Sequence, residues 1–135
     1  MDRITDSIWI GNYIDARDEE AKAKAGIRSI LCLDGCLEDA KPEDLGVARI
    51  DIVQLIDGSG NPPERFLRAV RLLRELVAQH SPVLVHCHAG QSRSAAVICK
   101  YFMTEGDSLE EAMRKITTKR RVAIIAGLQE ALDFK

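Results

Sequence analysis

A nine-residue segment near the middle of the chain, HCHAGQSRS at residues 86–94, combines side chains that are able to carry out covalent chemistry. Cys87 stands between two histidines, and Arg93 follows it after five intervening residues. Three roles are open to this cysteine: a nucleophile, a metal ligand or a small buried residue. The segments on either side of it indicate which role fits.

These residues join the end of a strand to the start of a helix. The apolar run VLVHC before the loop is typical of a buried strand, and from about Ser92 the pattern SRSAAVICKYFMTEG has the period of a helix. A helix N-terminus carries unpaired N–H groups and a partial positive charge, and Gly90 permits the sharp turn that leads into it. We therefore expect an anion to bind here, and the same field, with Arg93 close by, favours a thiolate at Cys87.

Phosphate is the anion that this loop suits best. Its three non-bridging oxygens need a ring of donors, which six backbone amides and one two-pronged guanidinium would supply. The residues of that ring are His88, Ala89, Gly90, Gln91, Ser92 and Arg93. With a thiolate beside the ring, the predicted reaction is phosphoryl transfer to sulfur.

The loop resembles the signature loop of the cysteine-dependent protein tyrosine phosphatase superfamily, in which a Cys, five residues, an Arg and a hydroxyl residue follow one another. The segment ITDSIWIGNYIDARDEEAKAKAGIRSILCL is similar to the opening of small dual-specificity phosphatases, and KYFM suits the helix after their loop. The resemblance extends over nearly the whole chain. It implies one dual-specificity phosphatase-like catalytic domain over residues 1–135.

The resemblance also implies roles for the polar residues of the loop. Cys87 would be the nucleophile, Arg93 the phosphate clamp, and Ser94 the hydroxyl that helps the thiolate leave when the phosphoenzyme breaks down. His86 would orient the loop and support Cys87. No cofactor and no metal are expected, because Arg93 and the loop amides neutralise the phosphate charge.

Such phosphatases also need a carboxylic acid on a mobile loop upstream of the cysteine. Asp57 lies 30 residues before Cys87, directly after a predicted strand, with Gly58 and Gly60 as hinges. Asp-Gly is also a common turn dipeptide. The competitor is Asp51, which alternates with apolar residues inside a predicted strand. We predict Asp57 as the general acid.

The remaining cysteines and histidines have simpler interpretations. Cys99 lies in an apolar helix and is predicted to be a core residue. Cys32 and Cys36 are compatible with a zinc or redox pair, but they lack a second matching pair, so core or surface thiols are favoured. His86 and His88 have no further ligand near in sequence, so a metal site there is not favoured. A serine-hydrolase elbow is excluded because every histidine precedes Ser92.

The rest of the chain predicts an α/β domain. We expect a central, mostly parallel sheet of four to five strands with helices on both faces, and Asn61 as the N-cap of a long helix. Gly26 is predicted to end the first helix. Strands are predicted at residues 7–12, 27–35, 47–55 and 83–87, and helices at 15–26, 62–80, 92–106, 108–121 and 122–135.

Composition narrows the class of protein. The chain is 46% hydrophobic and 30% charged, and 19 basic against 21 acidic residues leave a net charge of -2, which disfavours a nucleic-acid partner. No apolar run is long enough for a bilayer or for a secretory signal, so no membrane partner is expected. Together with four cysteines that need no pairing, this predicts a cytoplasmic monomer with free thiols.

The predicted function is a protein phosphatase that acts on phosphotyrosine and on phosphoserine or phosphothreonine. Three alternatives stay open: a phosphatase of a phosphoinositide, RNA 5′-phosphate or phosphosugar, a sulfurtransferase, and a silent phosphate-binding module. His88 and Gln91 make the loop less basic than the lysine-rich loops of lipid phosphatases, which favours protein substrates.

Two features near the C-terminal end leave the pocket wall undetermined. The segment TTKRRVAIIAGLQEAL lacks the proline and asparagine that dual-specificity phosphatases often have before the last helix. A basic cluster lies between the last two predicted helices, and a solvated helix end is favoured over a border of the pocket. The cluster comprises Lys115, Lys119, Arg120 and Arg121.

Overall fold

A five-stranded sheet forms the centre of the computed structural model, which describes residues 1–135. The strand order is β1-β2-β5-β3-β4, and only the β1–β2 pairing is antiparallel. The predicted mostly parallel sheet is therefore confirmed. The strands are β1 (Asp2–Arg3), β2 (Ile8–Gly11), β3 (Ser29–Cys32), β4 (Arg49–Ile52) and β5 (Val83–His86).

Helices cover both faces of this sheet. Leu31 and Val85 point into the larger core, which the long central helices complete, while Ile30 and Leu84 belong to a smaller core on the other face. This alternation follows from the two-residue period of a strand. The helices are α1 (Glu19–Ala25), α2 (Pro63–His80), α3 (Arg93–Thr104), α4 (Leu109–Thr117) and α5 (Ala126–Gln129). None of them is both long and apolar enough to cross a bilayer.

The carboxyl ends of the parallel strands meet at one edge of the sheet. His86, the last residue of β5, pairs in register with Gly11 of β2 and with Cys32 of β3. Segments that leave these three strands are consequently held beside one another. In parallel sheets such an edge is where ligands bind.

The predicted helix over residues 122–135 is wrong. Only α5 and a 3-10 turn at Glu130–Asp133 are helical there, and residues 122–125 have no regular secondary structure. The Ala123 N–H donates to the Gln91 carbonyl at 3.0 Å, and the Ile125 N–H donates to the Ser92 hydroxyl at 3.1 Å. These tertiary hydrogen bonds replace the helical ones that the amphipathic pattern predicts.

Asn61 does not cap α2, contrary to prediction. Pro62 occupies the N-cap position, and no side chain bonds to the first turn. The Asn61 side chain instead accepts from the Ile56 N–H at 2.8 Å and donates to the Ile56 carbonyl at 2.9 Å. It also donates to the Gly58 carbonyl at 3.2 Å, so that it ties together the loop between β4 and α2. The predicted end of the first helix is confirmed, since Gly26 has φ 71°.

Candidate active site

A tight loop connects β5 to α3 across residues 87–92. Gly90 has φ 68°, and a Cβ at this position would lie 2.5 Å from the Gly11 carbonyl oxygen and 2.7 Å from Nη2 of Arg120. No other residue fits, because both the backbone conformation and the space require glycine. The loop is thus pressed against the end of β2.

Neighbouring segments bind the carbonyl groups of the loop from outside. The Tyr13 N–H donates to the His88 carbonyl at 3.2 Å, and Arg120 Nε donates to the Gly90 carbonyl at 2.8 Å. The Gln91 carbonyl is the acceptor of the Ala123 N–H described above. By contrast, none of the N–H groups of residues 88–92 donates a hydrogen bond within the chain. Outward carbonyls and free N–H groups make the loop a receptor for an anion.

Cys87 lies at the start of this loop and is buried, with 2% of its surface exposed. Its Sγ is 3.2 Å from Oγ of Ser94, a fully buried residue in the first turn of α3. A hydroxyl at that distance can donate a hydrogen bond to a thiolate. Burial raises the pKa of Cys32 to about 12 and those of Cys36 and Cys99 to about 11. With no metal ion bound, those three thiols are neutral at pH 7.

His86 supports the loop from inside the sheet. The residue is fully buried, and its Nδ1 lies 3.3 Å from the Cys87 carbonyl oxygen. Burial lowers the pKa of His86, so the ring is neutral at pH 7. With one proton to place, Nδ1–H donating to that carbonyl is the arrangement that the geometry favours.

Arg93 reaches from the first turn of α3 toward the segment after β4. Its Nη1 donates to the Leu55 carbonyl at 3.2 Å, while its Nε is buried without a hydrogen-bond partner. The guanidinium is therefore anchored on one side and has a free donor on the other. A buried free donor is costly unless a ligand accepts from it.

A cavity of about 390 Å³ brings most of the predicted site residues together. It is lined by Asp57, Cys87, His88, Ala89, Gln91, Ser92, Arg93, Ala123 and Ile125. Gly90, Ser94 and His86 do not line it. Gly90 permits the turn of the loop, Ser94 lies beside the Cys87 sulfur, and His86 lies beside the Cys87 carbonyl. The stretch that lacks the expected proline and asparagine contributes two apolar side chains, Ala123 and Ile125, to the wall.

The two candidate carboxylates lie in different environments. Asp57 is exposed in the loop between β4 and α2 and lines the cavity. Asp51 lies within β4 and pairs with Nε of Arg49 at 2.9 Å, and that arginine also binds Glu75 at 2.8 Å. Asp51 does not line the cavity, since it lies within β4, an edge strand of the sheet, and not in the loop that follows it.

The basic cluster splits into residues with separate contacts. Arg120 binds the Asp2 carboxylate through Nη1 at 2.8 Å, in addition to its bond to the loop. Lys115 pairs with Asp107 at 2.6 Å and lies over the ring of Phe102. Lys119 and Arg121 are exposed, and no member of the cluster lines the cavity.

Sequence reasoning missed Tyr13 and the loop contact of Arg120. The Tyr13 ring stacks on His88 with centroids 4.4 Å apart and an interplanar angle of 3°, and it is 41% exposed beside the cavity. Both residues lie far from the loop along the chain. Tyr13 reaches the loop because it follows β2, whose end lies beside that of β5, and Arg120 reaches it from the segment after α4. Both contacts join distant parts of the chain, so no local pattern signals them.

The chain is similar in sequence to known dual-specificity phosphatases. The model of the family "Dual specificity phosphatase, catalytic domain" matches residues 8–131. Human dual specificity protein phosphatase 22 is 32% identical over 124 residues, which cover 91% of this chain and 66% of that protein. Dual specificity protein phosphatase 1 of Arabidopsis thaliana is 27% identical over 122 residues, covering 89% of this chain and 60% of that protein.

Solved structures show the same architecture. The crystal structure of human DUSP28 has a TM-score of 0.82 and 25% sequence identity, covering 98% of this chain and 92% of that one. The human tyrosine phosphatase-like serine/threonine/tyrosine-interacting protein has a TM-score of 0.81 at 26% identity, covering 98% and 92%. The chain spans 49% to 66% of the length of five vertebrate relatives named dual specificity protein phosphatase 22 or 22-A.

Proposed function

This chain belongs to the dual-specificity phosphatase family, and we propose that it hydrolyses phosphotyrosine and phosphoserine or phosphothreonine in proteins through a cysteinyl-phosphate intermediate. The observation that carries the proposal is the placement of the Cys87 thiol. It lies 3.2 Å from the Ser94 hydroxyl, beside a loop of free N–H groups and the free Nε of Arg93. A nucleophile and an oxyanion receptor therefore share one loop.

In the first half-reaction, the phosphate oxygens accept from the loop N–H groups and from Arg93. The Cys87 thiolate attacks phosphorus, so that a P–S bond forms as the P–O bond to the substrate breaks. Asp57, at the cavity wall, gives its proton to the departing oxygen. The dephosphorylated hydroxyl product leaves, and the phosphate stays on sulfur.

In the second half-reaction, water attacks the phosphoenzyme. The Asp57 carboxylate accepts a proton from that water, and the P–S bond breaks to release inorganic phosphate. The electron pair returns to sulfur, where the Ser94 hydroxyl donates a hydrogen bond to the new thiolate. Arg93 and the N–H groups carry the charge throughout, so no step needs a cofactor or metal ion.

The lining of the cavity supports protein substrates. Arg93 is the one basic side chain in it apart from His88, and Ile125 is apolar and 45% exposed. Tyr13, stacked on His88, adds an exposed aromatic face beside it. A polyanionic inositol phosphate or RNA end would meet few cations here, whereas a peptide offers apolar atoms on both sides of its phosphoresidue.

We further propose that residues 1–135 act as one catalytic domain, as a cytoplasmic monomer that binds neither nucleic acid nor membrane. The near balance of 19 basic and 21 acidic residues supports this, as do four free cysteines, which suit a reducing compartment. Gel filtration at several concentrations tests the monomer, since a dimeric elution volume contradicts it.

Turnover with different substrate classes tests the proposed function. The purified chain is compared on an aryl phosphate, phosphotyrosine and phosphothreonine peptides, inositol phosphates and 5′-triphosphorylated RNA. We expect hydrolysis of the aryl phosphate and the peptides, with kcat/KM highest for phosphotyrosine. A preference for inositol phosphates or RNA overturns the protein substrate, and no turnover of any phosphate ester leaves a sulfurtransferase or a silent binding module.

A further inference from the structure

Four metal-ligating side chains converge behind the catalytic loop, away from the phosphate cavity. Cys32, Asp34, Cys36 and His86 each offer one ligand atom, and these atoms all lie within 4.8 Å of one another. We call these four residues the Cys–His cluster. None of its members lines the cavity.

The topology of the sheet brings the cluster together. Cys32 ends β3 and His86 ends β5, and the two residues face each other in the parallel register of these neighbouring strands. The chain turns directly after β3, where the Cys36 N–H donates to Oδ1 of Asp34 at 2.9 Å. That turn folds Asp34 and Cys36 back over the ends of both strands.

His86 has a ring nitrogen available for a ligand bond. Its Nδ1 faces the Cys87 carbonyl at 3.3 Å, whereas Nε2 is buried and has no hydrogen-bond partner. His86 itself is fully buried. Buried polar atoms are nearly always paired. An unpaired imidazole nitrogen beside two thiols and a carboxylate is therefore placed to bind a metal ion.

We propose that the Cys–His cluster is a tetrahedral binding site for Zn²⁺. Two sulfurs, one imidazole nitrogen and one carboxylate oxygen form a donor set that zinc prefers, while the two thiolates exclude Mg²⁺ and Ca²⁺. Sulfurs bound to one zinc ion lie about 3.8 Å apart, so the cluster closes on the ion with side-chain adjustments of about 1 Å.

The surroundings of the cluster have the other features of a zinc site. A zinc-bound histidine usually donates its second N–H to a carbonyl, and the Cys87 carbonyl is placed to accept from Nδ1 of His86. Asp34 and Cys36 are half-buried while Cys32 and His86 are buried, so the ion has a path from solvent on one side. Zinc would then hold the histidine that supports the catalytic cysteine.

The sequence pattern alone disfavours this site, since Cys32 and Cys36 lack a second cysteine pair. The missing ligands come from Asp34, inside the turn, and from His86, which lies 50 residues after Cys36. The pairing of β3 with β5 brings His86 beside Cys32 and so provides a ligand that the local spacing does not contain. The alternative is a metal-free thiol network, in which Cys32 Sγ donates to the Asp34 carbonyl at 3.1 Å and to Oδ1 at 3.4 Å.

Cobalt substitution distinguishes the two interpretations. The full chain carrying Cys87→Ser, which removes the catalytic thiol as a competing ligand, is reduced and titrated with Co²⁺. We expect intense tetrahedral d–d bands and a sulfur-to-cobalt charge-transfer band that saturate at one equivalent and disappear on addition of one equivalent of Zn²⁺. In the same protein Zn²⁺ raises Tm.

Matched variants locate the ion. In the Cys87→Ser background, Cys36→Ala abolishes both the charge-transfer band and the rise in Tm, and Asp34→Asn weakens Co²⁺ binding by at least about tenfold. Cys99→Ala, which removes a buried thiol on α3 outside the cluster, leaves both signals intact. Circular dichroism shows whether each variant is folded, and if Cys36→Ala is not, Asp34→Asn decides.

Three results overturn the proposal. They are the absence of a charge-transfer band in the Cys87→Ser protein, its persistence in Cys36→Ala, and full affinity in folded Asp34→Asn. The proposed phosphatase activity is tested separately from these results, because no chemical step of it requires a metal ion in the cluster.

Discussion

The Sγ of Cys87 and the Oγ of Ser94 lie 3.2 Å apart, although six residues separate them along the chain. They close the two ends of one loop, since Cys87 follows β5 and Ser94 sits in the first turn of α3. In the proposed mechanism, the hydroxyl is thus held where sulfur carries negative charge, both before attack and after the phosphoenzyme breaks down.

Ser94→Ala is therefore expected to slow hydrolysis of the phosphoenzyme more than its formation. A hydrogen bond to a charged group is worth about 1.5–3 kcal/mol, which corresponds to roughly a ten- to hundredfold slower breakdown. Rapid-mixing kinetics with an activated aryl phosphate should show a burst of phenol followed by a slow steady state. Ser108→Ala, which removes the cap of α4, serves as the control and should show no burst. Equal slowing of both phases contradicts this role of Ser94.

Cys87→Ser should abolish turnover while oxyanion binding survives. The loop N–H groups and Arg93 are unchanged in this variant, but an alcohol at neutral pH is a poor nucleophile. Calorimetry with tungstate should give a Kd within about tenfold of that of the unaltered protein. Residual turnover near that of the unaltered chain would show that another group attacks phosphorus.

Arg93→Lys is expected to lower kcat/KM by about 10²- to 10³-fold despite the retained charge. The guanidinium binds the Leu55 carbonyl through Nη1 and still has a free Nε, whereas one ammonium group cannot reproduce this planar arrangement. Tungstate should also lose potency as a competitive inhibitor. Arg114→Lys, on the exposed face of α4, is the matched control. Near-normal kinetics of the Arg93→Lys protein would show that the guanidinium group is not needed to bind the phosphate.

The local parts of this site are readable from the sequence because their causes are local. The strand, the glycine turn and the helix start around Gly90 depend on neighbouring residues, and so does the loop that carries Asp57. The continuous apolar run from Ile30 to Leu33 likewise predicts a strand buried on both faces, and all four of these residues are buried. Where a short pattern contains the physical cause, prediction succeeds.

The remaining parts depend on contacts between distant segments. Ala123 and Ile125 belong to an amphipathic helical pattern, yet their N–H groups donate to Gln91 and Ser92 of the loop after β5, and residues 122–125 form no helix. Asn61 is a residue type that often caps helices, but its side chain instead forms hydrogen bonds with the N–H and the carbonyl of Ile56. No single-sequence pattern contains the position of these partners.

Arg120→Ala should lower kcat/KM without changing its dependence on salt concentration. Arg120 holds the Gly90 carbonyl and the Asp2 carboxylate, so its loss loosens the loop rather than removing a charge from the cavity. Removal of a charge-assisted hydrogen bond predicts about a ten- to hundredfold loss. Lys119→Ala is the control, since that side chain is exposed. A change in the salt dependence with Arg120→Ala would instead indicate electrostatic attraction of substrate.

Asp57→Asn should slow hydrolysis of phosphopeptides by roughly a hundred- to ten-thousandfold, because a tyrosyl or alkyl oxygen leaves poorly without a proton. An activated aryl phosphate needs less help, so its hydrolysis should fall much less. The alkaline limb of the pH–rate profile, which reports loss of the acid's proton, should flatten in this variant.

Asp51→Asn is the matched control, because Asp51 is also a carboxylate near the end of β4 but pairs with Arg49 instead of lining the cavity. It should cost stability, measured as a lower Tm, and leave the leaving-group dependence and the pH profile as they are. The contrast between substrates matters more than the size of either rate, since a misfolded loop would slow every substrate alike. An exchange of phenotypes between the two variants would move the general acid onto the strand, while the roles of Cys87 and Arg93 would stand.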